Sequence, residues 1–184
     1  GGFGADARVF GFFYLNVEQF KAIEQEAIRN IGFALLMVFI IIALLIIQPL
    51  GVVITFVCIG MTVVEIIGYV HFWGTNIDSV SVIVLVISLG LSVDYCVHVG
   101  HAFIVKGGSP EARLEAAMSE MGTAVFNGAF STFLSVLLLS ASSSYVFITI
   151  FKVLFLCTTL SLGHGLVLLP TLMYTFPPPT LKVD

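Results

Sequence analysis

Five long apolar runs, separated by short polar turns, set the pattern of this chain. A helix needs about 20 apolar residues to cross the hydrocarbon core of a bilayer, and each run is of that order. The first is uncharged from Ile31 to Ile47 and closes on Gln48-Pro49. The second follows at once, from Leu50 to Trp73, interrupted only by Glu65 and His71. Proline is poorly tolerated inside a helix, so Pro49 predicts a tight hairpin between them. The third run comes after the polar turn Gly74-Thr75-Asn76-Ile77-Asp78. The predicted spans are residues 31–48, 50–73, 80–105, 121–141 and 145–174, the last closing on Pro177-Pro178-Pro179. The fold class is therefore all-α membrane, a bundle of five transmembrane helices.

Two further segments read as helices that do not span. Glu18 to Asn30 mixes charges with Phe20, Ile23 and Ala27 at helical spacing, which predicts an amphipathic lead-in. Ser109-Pro110-Glu111 supplies an N-cap, a proline at the first helical position and an early acid. It opens a short surface helix over 109–119. The fourth span is rich in small residues, and Ala124-xxx-Gly128 and Ser131-xxx-Ser135 predict close helix packing inside the bundle.

Composition agrees with lipid as the solvent: 59% of the 184 residues are hydrophobic and 10% charged, with a mean hydropathy of +1.12. Soluble domains sit near 45–50% apolar and about 25% charged. The net charge of −4 comes with no cluster of Lys and Arg, which excludes a nucleic-acid footprint. Cys58, Cys96 and Cys157 all fall inside apolar runs, as small fillers and not as a disulfide framework. No signal peptide is visible, and the opening Gly1-Gly2-Phe3-Gly4 reads as an excerpt from a longer chain. The basic residues orient nothing, since Lys106, Arg113 and Lys182 on one side balance Arg8, Lys21 and Arg29 on the other.

Ionisable groups inside a membrane are costly and therefore informative. Gly90, Asp94 and His98 stand at i, i+4 and i+8 in the third span and share one helix face, with His101 close to the same stripe. An intramembrane carboxylate beside an imidazole can load and release a proton near physiological pH, which an ion-coupled carrier requires. Gly90 leaves room for a helix or a water beside the carboxylate. In the plainer alternative Asp94 bonds a serine or a backbone group of another helix. Glu65, about two turns from the end of its span, reaches either a wet vestibule or a partner in the bundle. Lys152 is placed to snorkel to the interface, and His164, between Gly163 and Gly165, to bond a neighbouring helix. The histidines lack metalloprotease spacing, and no phosphate loop or nucleophile elbow is present. Neither a metal site nor an enzyme is expected.

The segment Gly90-Leu91-Ser92-Val93-Asp94-Tyr95-Cys96-Val97-His98, with Ala102-Phe103 after it, resembles the tenth transmembrane helix of the Patched and Niemann–Pick type C proteins, in the resistance–nodulation–division superfamily. Trp73 to Ser81 resembles the lead into that helix. Glu115-Ala116-Ala117 and Met121 to Gly128 resemble the cytosolic helix and eleventh span, while Phe151-Lys152 and His164 to Pro170 resemble the twelfth. The likeness runs from about residue 30 to 179, and Asp94 makes it most similar to the Patched-related forms.

What the resemblance implies is half of a permease transmembrane domain, spans eight to twelve. Residues 1–30 would end an extracellular or lumenal domain, 31–176 form the bundle, and 177–184 a cytosolic tail. The Gln48-Pro49 turn and Lys106 to Glu120 would be cytosolic, with Trp73–Ser79 and Ser140–Tyr145 opposite. The implied function is lipid or sterol transport driven by a proton or sodium gradient, with no other cofactor. Asp94 and His98 would be the ion relay, and Gly90, Ser92, Glu65, His101, Lys152 and His164 its supporting residues. The implied partners are membrane lipid or sterol and an N-terminal transmembrane half, in the plasma membrane or an endosomal or lysosomal membrane. A Hedgehog-type signalling receptor and a transport-inactive structural half are the alternatives.

Overall fold

Backbone N–H and C=O groups in an apolar segment must bond within that segment if lipid surrounds it, and helices do this. A computed structural model describes residues 12–180 and, among them, only helices and turns. The expectations for residues 1–11 and for Lys182 lie outside the described residues. In chain order the helices are α1 (Phe12–Leu45), α2 (Pro49–Phe72), α3 (Ser79–Val105), α4 (Pro110–Ala117), α5 (Thr123–Leu137), α6 (Tyr145–Gly163) and α7 (Leu169–Thr175). A π-turn at Met118–Gly122 joins α4 to α5, and a second at His164–Leu168 joins α6 to α7. Among the described residues, five helical segments are long and apolar enough to cross a membrane: Gln25–Leu45, Pro49–Phe72, Ser79–Val105, Pro110–Ala141 and Tyr145–Thr175.

The breaks fall where local chemistry demands them. The Gln48 side chain accepts from Gly51 N–H at 2.8 Å and caps α2, with Pro49 in the first turn. Gly74 takes a φ of +68° after α2, a region that glycine enters without a steric penalty. Ser109 caps α4 ahead of Pro110.

Two boundaries differ from the sequence reading. The lead-in segment and the first span are one unbroken helix, α1. Its Ile23 and Ala27 pack on Val82 of α3, while Glu26 and Arg29 pair on the exposed side at 3.7 Å. The short helix at Ser109 runs straight into the fourth span through the first π-turn. Charged side chains end an apolar run but do not interrupt backbone hydrogen bonding, so the helix continues where the hydropathy stops. Nor does that helix lie free on the surface. Arg113 is buried: its Nε donates to Phe103 O at 2.9 Å, its Nη1 donates to Pro178 O at 2.8 Å, and its guanidinium sits 4.3 Å over the Phe103 ring.

The core forms around α3, the most buried span. Ile42 and Ile46 of α1, Cys58 and Ile59 of α2, Cys96, Val99 and Phe103 of α3, and Leu169 and Met173 of α7 fill it. Outward-facing Leu44, Val64, Phe72 and Val167 are each more than half exposed. That apolar exterior is what a lipid-facing surface requires.

One polar clamp joins the start of α3 to the start of α6. Asp78 caps α3 by accepting from Ser81 N–H at 2.8 Å, and the Tyr145 hydroxyl at the start of α6 donates to its Oδ2 at 2.9 Å. Burial raises the Asp78 carboxyl, but the Ser81 N–H and the hydroxyls of Tyr145 and Ser81 together outweigh it and hold it below its ordinary value. A depressed carboxyl stabilises the fold above its unfolded value of about 4 and loses that contribution as pH falls through the folded value. Asp78→Ala is expected to lower stability by about 0.5–2 kcal/mol, the range for losing an N-cap. Thermal melts of the full-length protein check this, and the gap to wild type should narrow as pH falls below about 4. A gap unchanged in acid would mean that the cap's charge contributes nothing.

Candidate functional site

The spacing of Gly90, Asp94, His98 and His101 puts them on one face of α3, and in the folded chain all four are exposed. The face points out of the five-helix bundle. Spacing alone leaves open whether such a face points into the bundle, and here it does not: α3 already uses its other faces against α1, α2, α6 and α7, and the polar stripe is what remains. Gly90 has open space beside it. Asp94 and His98 stand one helical turn apart, a separation of about 5–6 Å between Cβ atoms. Among the described residues no hydrogen bond or ion pair joins them.

Beside this stripe lies a cavity of about 300 Å³ between α3 and α5, lined by Asp94, Tyr95, His98, Met121, Ala124, Val125 and Gly128. The small residues of α5 thus flank the ionisable groups. Ala124, Gly128, Ser131 and Ser135 are exposed, so the predicted close-packing stripe faces outward, on the side where the cavity opens. An uncompensated Asp or Lys at the centre of a membrane helix costs about 2.5–3.5 kcal/mol on insertion scales, and such groups face a bundle interior or a water-filled cavity. This face of the chain suits a covering protein surface or water, and not lipid.

The remaining candidates separate from it. Ser92 is fully buried and turns to α6, where its Oγ lies 2.7 Å from Ser161 Oγ. Cys157 Sγ donates to Ser88 O at 3.2 Å in the same cluster. Ser88, Ser92, Cys157 and Ser161 therefore form a polar seam between α3 and α6, and Ser92 belongs to that seam and not to the Asp94 face. Its sequence signal is a pair of small polar residues at i and i+4 in each span, Ser88 with Ser92 and Cys157 with Ser161. Lys152 Nζ donates to Trp73 O at 3.0 Å and lies 5.8 Å from the centre of the Trp73 ring. A cation there complements the C-terminal end of α2.

Glu65 and His164, far apart in the chain, come together: His164 Nε2 is 3.5 Å from Glu65 Oε1 across the α2 boundary with the last span. His164 opens the second π-turn, in which Leu169 N–H bonds His164 O. The widened turn comes immediately before Pro170, which has no N–H and needs room over the preceding turn. Gly165 in that turn lies against the α3 backbone at Tyr95, where an added Cβ would be 2.8 Å from Tyr95 O. Among the described residues no group of three or more His, Cys, Asp or Glu is placed to hold a metal ion.

The chain is 34% identical over 172 residues to the NPC intracellular cholesterol transporter 1 of Sus scrofa, covering 90% of the chain and 14% of that protein. It is 31% identical over 170 residues to Protein patched homolog 1 of Danio rerio, covering 92% and 14%. A third relative, NPC intracellular cholesterol transporter 1 homolog 1b of Drosophila melanogaster, is 27% identical over 181 residues, 95% of the chain and 14% of its own length. The chain thus spans about 14% of the length of the curated relatives it matches. No protein-family profile matches it.

Proposed function

Since the chain belongs to the Patched and Niemann–Pick type C family and is a multi-pass membrane protein, we propose that it is part of a lipid or sterol permease driven by a cation gradient. Asp94 binds the coupling ion, a proton or sodium, and His98 assists it. The observation that carries this reading is the exposed Asp94–His98 face beside its own cavity in a largely apolar exterior. Two ionisable groups held one turn apart at mid-span are expensive unless a second surface or a water path meets them. The N-terminal transmembrane half of the same protein is the covering surface in this reading. The name of the Sus scrofa relative, a cholesterol transporter, supports sterol as cargo. No enzymatic step is part of the function.

The test is the full-length protein reconstituted in vesicles with an imposed proton or sodium gradient, followed by the movement of a fluorescent sterol. Movement should track one of the gradients. His98→Gln should slow it by about tenfold, equivalent to ~1.4 kcal/mol, and displace its pH dependence. Sterol movement indifferent to both gradients would remove the ion-coupled reading.

The Patched relative matches nearly as well as the cholesterol transporter, at 31% against 34% identity, and this favours a second reading, a signalling receptor built on the same bundle. Ion-dependent sterol movement by the isolated protein in vesicles, with no partner present, separates the two.

A further inference from the structure

We propose that Glu65 and His164 form a second proton-binding site, distinct from the Asp94–His98 face, which holds one proton between a carboxylate and an imidazole inside the membrane.

His164 Nδ1 lies 2.9 Å from Leu160 O, and a carbonyl oxygen only accepts, so Nδ1 carries a hydrogen. That leaves Nε2 to face Glu65 Oε1 at 3.5 Å. With Glu65 ionised and Nε2 bare, two acceptors would oppose each other across that gap. One more proton resolves the conflict, either on Nε2 as an imidazolium beside a carboxylate or on Glu65 as an acid beside a neutral ring. Both arrangements contain the same number of protons.

Charge points the same way. The His164 side chain is 11% exposed and that of Glu65 37%. Glu65 borders a cleft on α2 with Phe56, Val57, Gly60, Met61 and Val64, an apolar setting apart from its own carboxyl. The one-proton pair is net neutral, whereas losing that proton leaves a net negative charge there and adding another a net positive one. Intramembrane charge is disfavoured in either sign. The partly exposed Glu65 edge is the route by which the proton enters and leaves.

No other group competes for the position among the described residues. On α2, Cys58 is buried in the core, and Tyr69 and His71 are exposed near the helix end. On α3, Asp94, His98 and His101 lie on the exposed face, while Tyr95 and Cys96 are buried. On α6, Cys157 is bonded into the serine seam and Lys152 to Trp73. On α7, the Tyr174 hydroxyl donates to Glu111.

The experiment is solid-state nitrogen-15 spectroscopy of the full-length protein with labelled histidine, in lipid, at several values between about pH 5 and 8, where imidazoles ordinarily switch. The His164 signals are identified by their loss in His164→Gln, and the Glu65 carboxyl is followed by its infrared band, identified by Glu65→Gln. The expected result is a protonated Nδ1 throughout, with an extra proton on either Nε2 or Glu65 at the lower pH values. Glu65→Gln should then alter both the protonation of His164 and its response to pH, and Asp94→Asn should alter neither. A bare Nε2 beside an ionised Glu65 at every pH would overturn the site, as would a His164 spectrum indifferent to Glu65→Gln. The wild-type spectrum decides the first point even if a variant fails to fold. Because no transport is measured, the result is independent of whether Asp94 couples ions.

Discussion

Asp94→Asn in the full-length protein is expected to reduce gradient-driven sterol movement by about 10²-fold or more, the scale contributed by a positioned proton-transfer group. Asparagine keeps the size and much of the hydrogen-bonding capacity of the side chain but cannot take up or release an ion. The same substitution removes a mid-span charge that costs about 2.5–3.5 kcal/mol to insert, so expression, membrane insertion and melting temperature should be unchanged or raised. That combination of lost transport and intact fold separates an ion-binding carboxylate from a structural one. Asp94 lies on the exposed face of α3, outside the buried core. Full transport by Asp94→Asn from about pH 5 to 8, the window of an imidazole partner, would make Asp94 structural and place the relay elsewhere.

Gly165→Ala is expected to have the largest effect on the fold, a loss of about 1–3 kcal/mol, the usual penalty for overpacking. The added methyl would sit 2.8 Å from Tyr95 O, 3.1 Å from Tyr95 C and 3.4 Å from Tyr95 Cβ. Those atoms belong to the backbone of the central helix and its first side-chain carbon, which cannot swing aside as a side-chain tip does. The last span must therefore move off α3, and the His164 turn moves with it. Gly163→Ala is the matched control, since nothing lies within 4 Å of its added methyl, and alanine favours a helix over glycine by about 1 kcal/mol. Melting temperatures of the purified full-length variants should thus diverge in opposite directions from wild type. Equal melting of the two variants would mean that α3 and the π-turn are not in contact.

The sequence by itself determined what depends on local composition and on fixed helical periods. Five apolar runs predicted five spans, because lipid leaves the backbone few other solutions. Pro49 marked the first hairpin, Ser109-Pro110 the start of α4, and the period of 3.6 placed Gly90, Asp94 and His98 on one face. The resemblance to the Patched and Niemann–Pick type C family agrees with the relatives the chain matches.

Direction and partnership were decided by the tertiary structure. Spacing shows which side chains share a face but not where the face points, so nothing local revealed that the Asp94 stripe and the small-residue stripe of α5 both turn outward. Hydropathy likewise separates polar from apolar segments, whereas helix continuity follows backbone bonding, and so α1 and the α4–α5 helix ran through boundaries that looked real. The Glu65–His164 pair, the Ser92–Ser161 bond and the burial of Arg113 against Phe103 and Pro178 join residues distant in the chain. Such meetings are set by how α2, α3 and the last span pack together, because a polar group in a low-dielectric interior takes the nearest partner that packing provides.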